Sequence, residues 1–184
     1  MLTIDYTELE NQSEQLKSNL DYYNKLGKPV VDEYSKDLDE KVNGIKNYLE
    51  QIRIYNLDFD IPSLQRMLVD LSTTIYYTND RLEKLGLLED MSKLKYKDRY
   101  NEAYLSKQGT TTVADKKYTV EQLKAHADNE ALSENLINFI YSHAASTLKS
   151  KIDSANELLK AISKILSSES AAMQAYGVSG KYQK

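Results

Sequence analysis

The sequence predicts an all-α protein whose long helices form a helical hairpin arm and a helical bundle or coiled-coil body, assembled as an oligomer. Two prolines and six glycines are few for 184 residues, which favours long helices over a sheet with many turns. Apolar residues recur every seven positions in two stretches, as in helices that pack along other helices. With 41% hydrophobic and 28% charged residues, the chain can build one sizeable core or two small ones.

Residues 1–62 are predicted to form an acidic helical hairpin arm. A helical pattern over residues 6–26 is expected to stop at Gly27, which is followed by Pro29. A second helix fits residues 30–55 and is predicted to lie antiparallel to the first. Its seven-residue repeat consists of Val31, Leu38, Ile45 and Ile52. The arm carries 7 Lys+Arg against 13 Asp+Glu, a net charge of −6.

Residues 63–184 are predicted to form the helical body, after a connector at residues 56–62. Ser63 is expected to cap a third helix that continues past Gly86 and stops at Gly109. The threonines and the valine that follow favour a loop or short ribbon.

Thr119, with Gln122 three residues later, forms a capping-box pattern that opens a short helix. Asp128 and Asn129 are expected to end this helix and to begin a long one over residues 130–176. In the long helix, one seven-residue row consists of Ala145, Ile152, Leu159, Leu166 and Met173, and a second consists of Tyr141, Leu148, Ala155 and Ile162. We predict that the oligomer interface is formed by Leu148, Ile152, Leu159, Ile162 and Leu166.

The composition excludes several classes of protein. A net charge of −4 argues against a generally basic nucleic-acid coat. The absence of cysteine excludes disulfides and thiolate metal sites and suits a reducing cytoplasm. The first residues lack the order of a signal peptide, and no apolar run is long enough to span a bilayer, so no membrane role is expected.

One segment of the chain is basic. Residues 93–117 carry 7 Lys+Arg against 3 Asp+Glu, a net charge of +4, whereas residues 63–92 are acidic and residues 118–184 are neutral. Tyr96, Tyr100 and Tyr104 follow one another at four-residue spacing, so they share one helix face, with cations around the row.

Cations beside aromatic rings suit single-stranded nucleic acid, because cations neutralise phosphates while exposed bases stack on rings at roughly 1–3 kcal/mol each. The predicted binding residues are Lys93, Lys95, Tyr96, Lys97, Arg99, Tyr100, Tyr104 and Lys107. The alternative is that the tyrosines are a core or interface stripe and that the lysines only solvate the helix.

Sequence signatures of catalysis are missing. No glycine-rich phosphate loop occurs, and the two histidines, His126 and His143, have neither di-iron nor zinc spacing. Both histidines are expected to be structural or on the surface. We therefore predict a protein that is not an enzyme and that uses no metal and no cofactor.

The order of features over residues 75–177 resembles the UvsY recombination mediators of tailed phages. That family carries a Lys-x-Arg element followed by tyrosine and then glycine, positions that Lys97, Arg99, Tyr104 and Gly109 occupy here. A polar loop, a short helix and a long terminal helix that closes in Ala-Tyr-Gly follow in the same order. The resemblance is one of layout and short motifs and covers about residues 64–180.

The resemblance implies a helical, ring-forming protein that binds single-stranded DNA in the cytoplasm of a bacterial host. Its implied role is to help load a recombinase onto strands coated by a single-strand binding protein. This chain departs from the family in being acidic, and residues 1–62 have no counterpart in it. The acidic arm would guard the DNA groove, mimic DNA or bind a partner.

The leading hypothesis is thus a non-enzymatic, homo-oligomeric mediator that binds single-stranded DNA. The rival is a helical protein-binding factor, such as a phage-encoded inhibitor or adaptor, that uses the acidic hairpin. Acidic helices can occupy basic clefts that normally hold nucleic acid. An ordinary coiled-coil subunit would also fit everything except the basic segment.

Overall fold

A computed structural model describes residues 6–111 and 116–179, and within these ranges the chain is all-α, as predicted. Five α-helices and one π turn follow in order. They are α1 (Tyr6–Tyr22), the π turn (Tyr23–Gly27), α2 (Lys28–Tyr55), α3 (Ile61–Lys107), α4 (Val120–Glu130) and α5 (Leu132–Ser179). An isolated antiparallel bridge joins Thr111 and Lys117. Of the helices described, none combines the length and the apolar character that a bilayer-spanning segment needs.

The helix stop predicted at Gly27 and Pro29 is wrong. Tyr22 and Lys28 both have right-handed helical backbone angles, and the Lys28 N–H donates to the Tyr23 carbonyl in the wider π pattern. Proline has no N–H and its ring clashes with the preceding turn of a regular helix, so the wider turn accommodates Pro29 without a reversal of the chain. The turn of the predicted hairpin is therefore not formed at Gly27.

Gly27 has a packing role instead. A Cβ at this position would lie 2.6 Å from Cδ2 of Tyr23 and 3.1 Å from Cγ2 of Ile140. The ring of Tyr23 is itself held edge-on to His143, with ring centroids 4.5 Å apart. Gly27 thus allows the π turn and α5 to approach each other closely.

Helix α3 begins at Ile61, earlier than predicted, and its cap is Asp60 rather than Ser63. The Asp60 carboxylate accepts hydrogen bonds from the Ser63 hydroxyl at 2.5 Å and from the Ser63 N–H at 3.4 Å. These bonds lower the pKa of Asp60, since they stabilise the charged carboxylate. As predicted, α3 continues past Gly86, and Gly109 beyond its end has a positive φ of 81°.

The capping box predicted at Thr119 is confirmed. The Gln122 N–H donates to the Thr119 hydroxyl, and the Thr119 N–H donates to the side-chain carbonyl of Gln122 at 3.0 Å. The helix that it opens, α4, extends through Asp128 and Asn129, where an end was predicted. The break comes at Ala131, whose φ of −97° and ψ of 12° leave the helical region.

Packing divides the chain into two compact units. Unit 1 consists of residues 1–32 and 83–147, and unit 2 consists of residues 33–82 and 148–184. The boundary predicted at residue 62 does not coincide with this division, because residues 33–62 belong to unit 2.

In the described part of unit 1, the buried apolar residues belong to α2, α3, α4 and α5, apart from Ala131, which lies between α4 and α5. They are Val31, Leu85, Ala103, Leu123, Ala127, Ala131, Ile140 and Ala144. Four of these eight residues are alanines, whose small side chains leave room for close packing of helices. The Ser92 hydroxyl, which is also buried, donates to the Glu89 carbonyl at 2.7 Å and lies 3.2 Å from the side-chain oxygen of Asn138, so it contacts both α3 and α5.

In the described part of unit 2, the core is a seam of branched aliphatic residues from α2, α3 and α5. It includes Leu38, Ile45, Ile52, Leu64, Leu71, Ile75, Leu148, Ile152, Ala155 and Ile162. All four residues of the seven-residue repeat predicted for α2 are buried. Val31 lies in unit 1, and the other three lie in unit 2. Of the two rows on α5, the row with Leu148 faces the core, and the side chain of Met173 lies outside the described residues.

A polar network spans α2 and α5 within unit 2. The ammonium of Lys151 donates to the hydroxyl of Ser35 at 2.9 Å and to the carboxylate of Asp39 at 2.5 Å. Ser35, which is fully buried, donates in turn to Asp39 at 2.7 Å. All three side chains have a partner, so burial of Ser35 leaves no polar group unpaired.

Candidate nucleic-acid interface

The predicted binding residues lie in the last four turns of α3, within unit 1. The buried side of α3 contains Ala103 within this segment and Leu85 and Ser92 before it. The spacing from Ser92 and Ala103 places Tyr96 next to that side, with Tyr100 and Tyr104 further round the helix. The helix thus carries the tyrosine row along the edge of the packed surface.

The tyrosine row forms a ladder of rings that are half-buried. The centroids of Tyr96 and Tyr100 are 6.1 Å apart, and those of Tyr100 and Tyr104 are 6.4 Å apart. The planes of Tyr100 and Tyr104 differ by only 18°, so these two rings lie nearly parallel. The tyrosine row is therefore neither wholly buried nor wholly exposed. The sequence had left open a core or interface stripe and an exposed stacking surface, and the observed burial is intermediate between them.

Three of the predicted lysines are exposed, namely Lys93, Lys95 and Lys97, whereas Lys107 is half-buried. Among the residues that the structure describes, no carboxylate lies within 4.0 Å of these four ammonium groups. Lys93 and Lys97 lie three residues before Tyr96 and Tyr100, on the same side of α3 as the rings. Lys95 points away from the row by the same geometry.

Arg99 does not offer the free guanidinium that the sequence predicted. It forms ion pairs with Glu102 at 3.3 Å and with Glu130 at 3.0 Å. Since both pairs would have to be exchanged for phosphate contacts, Arg99 is better described as a link between α3 and the end of α4. The sequence could not reveal this pairing, because Glu130 lies 31 residues further along the chain.

Two further parts of the predicted basic segment lie beyond the helix. Lys116 and Lys117 are exposed, and Lys117 takes part in the bridge to Thr111. Residues 112–115 lie outside the described residues. The bridge brings Thr111 and Lys117 side by side, and both belong to unit 1 with the tyrosine row.

Three of the residues assigned to an oligomer interface are in the core of unit 2. Leu148 and Ile162 have no exposed surface, and Ile152 is 4% exposed. Because these side chains are covered by the chain's own α2 and α3 seam, they have no surface to offer a second subunit, and their assignment is wrong. Leu159 and Leu166 are half-buried.

His143 contacts two aromatic rings, and the described part of the chain contains no cluster of three metal-binding side chains. The ring of His143 lies parallel to that of Phe139, with centroids 6.0 Å apart, and edge-on to Tyr23. The four-residue spacing of Phe139 and His143 could have indicated their contact. Nothing in the sequence indicated Tyr23.

Comparison with known proteins adds no relative on which to base a function. No family model, no curated protein and no solved structure matches this chain. The resemblance to the UvsY mediators consequently stays a prediction.

Proposed function

We propose that the chain binds single-stranded DNA along the last four turns of α3, without catalysing a reaction. The observation that carries the proposal is the pairing of free cations with a ring ladder on one helix. Lys93 and Lys97 are exposed, have no carboxylate partner among the described residues, and flank the half-buried rings of Tyr96 and Tyr100.

Electrostatics and stacking have separate roles in this proposal. The ammonium groups attract the phosphate backbone, and the +4 charge of residues 93–117 concentrates that attraction in an otherwise acidic chain. A half-buried ring keeps part of its surface accessible, and a splayed base that meets an open ring face stacks on it at roughly 1–3 kcal/mol. A closed duplex has no free base face to offer, and therefore single strands are favoured.

We further propose, by resemblance to the UvsY family, that this binding serves recombination. The protein would help load a recombinase onto strands held by a single-strand binding protein. Assembly into a ring would repeat the weak site of each subunit along one strand, which raises avidity without new contacts. Such an assembly has to use surfaces other than Leu148, Ile152 and Ile162, which are buried in the protomer.

Fluorescence anisotropy with a labelled oligothymidylate of about 30 nucleotides tests the proposal. The Lys93→Ala/Lys97→Ala variant is expected to weaken binding and to lower the slope of log affinity against log salt by about 1.4, since each phosphate contact contributes about 0.7 on single strands. Lys36→Ala/Lys46→Ala is the matched control, because it removes two exposed lysines from α2. Equal binding by both variants, or no binding by the native chain, overturns the proposal.

The mediator role needs a second measurement. Light scattering with and without the same oligothymidylate gives the mass of the particle and the number of strands bound. A measured mass that corresponds to several subunits bound to one strand supports ring assembly. A single protomer that binds one strand would retain the DNA site but remove the ring.

A further inference from the structure

Unit 1 contains a second candidate site, a groove between α1 and the start of α5. It has a volume of about 640 Å³, which falls within the range of about 300–1,000 Å³ typical of ligand-binding clefts. None of the described side chains that line it is charged, although 28% of the chain's residues are. The groove therefore suits a ligand segment without charge.

The apolar part of the lining is accessible. Tyr22 is 47% exposed, Leu132 is 54% exposed and Phe139 is 50% exposed, and Leu136 lies half-buried between them. Two of these side chains are large aromatic rings, the residue type that most often anchors protein interfaces. An apolar side chain placed against them would remove their remaining surface from water, which is favourable.

The polar part of the lining consists mainly of carboxamides. Asn19, Asn129 and Asn135 line the groove, and their side chains make no hydrogen bond to another described residue. Each carboxamide offers a carbonyl acceptor and an NH₂ donor, the same two functions that a peptide backbone presents. A peptide segment can therefore be paired at its backbone while its apolar side chains lie on the rings.

Of the five charged residues next to the lining in sequence, four are acidic. Asp21, Asp128, Glu130 and Glu134 are immediate neighbours of lining residues, and Lys17 is the single cationic one. Glu130 is held by Arg99, but no Lys or Arg of the described chain lies within 4.0 Å of the other three carboxylates. This local excess of negative over positive charge disfavours phosphates and favours a ligand that carries Lys or Arg.

We propose that this groove binds a short segment of a partner protein in which uncharged, apolar residues are flanked by lysine or arginine. The apolar residues would contact Leu132, Leu136 and Phe139, the backbone would pair with the asparagine carboxamides, and the flanking cations would face Asp21 and Asp128. This site is distinct from the tyrosine row and does not depend on DNA binding.

The test is a titration of the isotope-labelled full chain with a panel of ten-residue peptides, followed by NMR. Panel members carry Leu, Phe or Tyr alternating with Ser between Lys-Lys ends, and a second panel has Glu-Glu ends. Lysine-ended peptides are expected to shift the side-chain amide signals of Asn19, Asn129 and Asn135. Glutamate-ended peptides are expected to bind at least about tenfold more weakly at low salt.

Two variants and one control make the assignment specific. Leu132→Ser/Phe139→Ser is expected to weaken peptide binding at least about tenfold, as for the loss of an interface anchor. Asn135→Ala is expected to weaken it as well, and its exposed position spares the fold. Leu105→Ser, at a position 63% exposed on α3 outside the groove, is the matched control and is expected to bind normally.

Several outcomes overturn the proposal. One is that no lysine-ended peptide shifts the three amide signals, and another is that the groove variants bind as the control does. A third is that an oligothymidylate shifts these signals, which makes the groove part of the DNA site. A fourth is that the signals change with protein concentration alone, which shows that a second copy of the chain fills the groove.

Discussion

Arg99 of α3 donates a hydrogen bond to the carboxylate of Glu130 in α4, with 3.0 Å between Nη2 and Oε2. The residue predicted to contact phosphate is thus already paired with two carboxylates of its own chain, since Glu102 also binds it. The cations that remain free on this part of α3 are lysines, and the predictions for DNA binding follow from that distinction.

Arg99→Ala is predicted to reduce the free energy of unfolding by no more than about 1 kcal/mol, because both partners of the pair with Glu130 are more than one-third exposed and screened by water. Urea denaturation measures this change. The same variant is predicted to retain more oligothymidylate affinity than Lys93→Ala/Lys97→Ala. A loss of affinity that matches the double lysine variant would show that Arg99 leaves its carboxylates to bind DNA.

Gly27→Ala is predicted to destabilise the protein by roughly 1–2 kcal/mol, because the clash with Tyr23 and Ile140 outweighs the gain in helix propensity. Gly86→Ala is the matched control. A Cβ at Gly86 meets nothing within 4 Å, so this substitution is predicted to stabilise α3 by about 0.8–1 kcal/mol. Thermal or urea unfolding of the two variants should move in opposite directions. If both stabilise, the ring of Tyr23 moves aside freely.

Thr119→Ala is predicted to reduce the free energy of unfolding by about 1 kcal/mol, since it removes the hydroxyl that accepts the Gln122 N–H. Thr119→Ser keeps a hydroxyl at the same position and is predicted to retain most of the stability. Urea denaturation compares the two variants. Equal losses in both would indicate that the methyl group of Thr119, rather than the capping box, stabilises the start of α4.

Asp60 is predicted to make stability depend on pH in the acid range. Its pKa in the folded chain lies below the ordinary value because of the Ser63 hydrogen bonds, so the unfolded chain takes up a proton first as the pH falls. The stabilisation is fully present above about pH 4–5 and is lost as the pH decreases through the lowered pKa. Asp60→Asn should flatten this part of the stability curve, measured by urea denaturation between about pH 2.5 and 7.

The sequence predicted the elements whose signals are local. The seven-residue repeat of α2 marked residues that are now buried, and the capping box at Thr119 identified the start of α4 to the residue. Both signals depend on residues within one or two turns of each other. The long α3 was also predictable, because Gly86 meets nothing that requires a bend there.

The errors concern contacts between distant residues. Gly27 and Pro29 form a local stop signal, yet the contacts of Tyr23 with His143 and the wider π turn keep the chain helical. A row of apolar residues indicates that one face of a helix is buried, but it does not identify the element that buries it. For this reason Leu148 and Ile162 were assigned to a second subunit, whereas α2 and α3 of the same unit cover them.

The network of Lys151, Ser35 and Asp39 has a consequence for synthesis of the chain. Ser35 and Lys151 are 116 residues apart in sequence, so Ser35 of a nascent chain leaves the ribosome long before Lys151 does. At about 5–20 residues per second, that interval lasts roughly 6–23 seconds. During this time the α2 and α3 parts of unit 2 lack the α5 side chains that complete their core, and their aliphatic residues stay exposed to water.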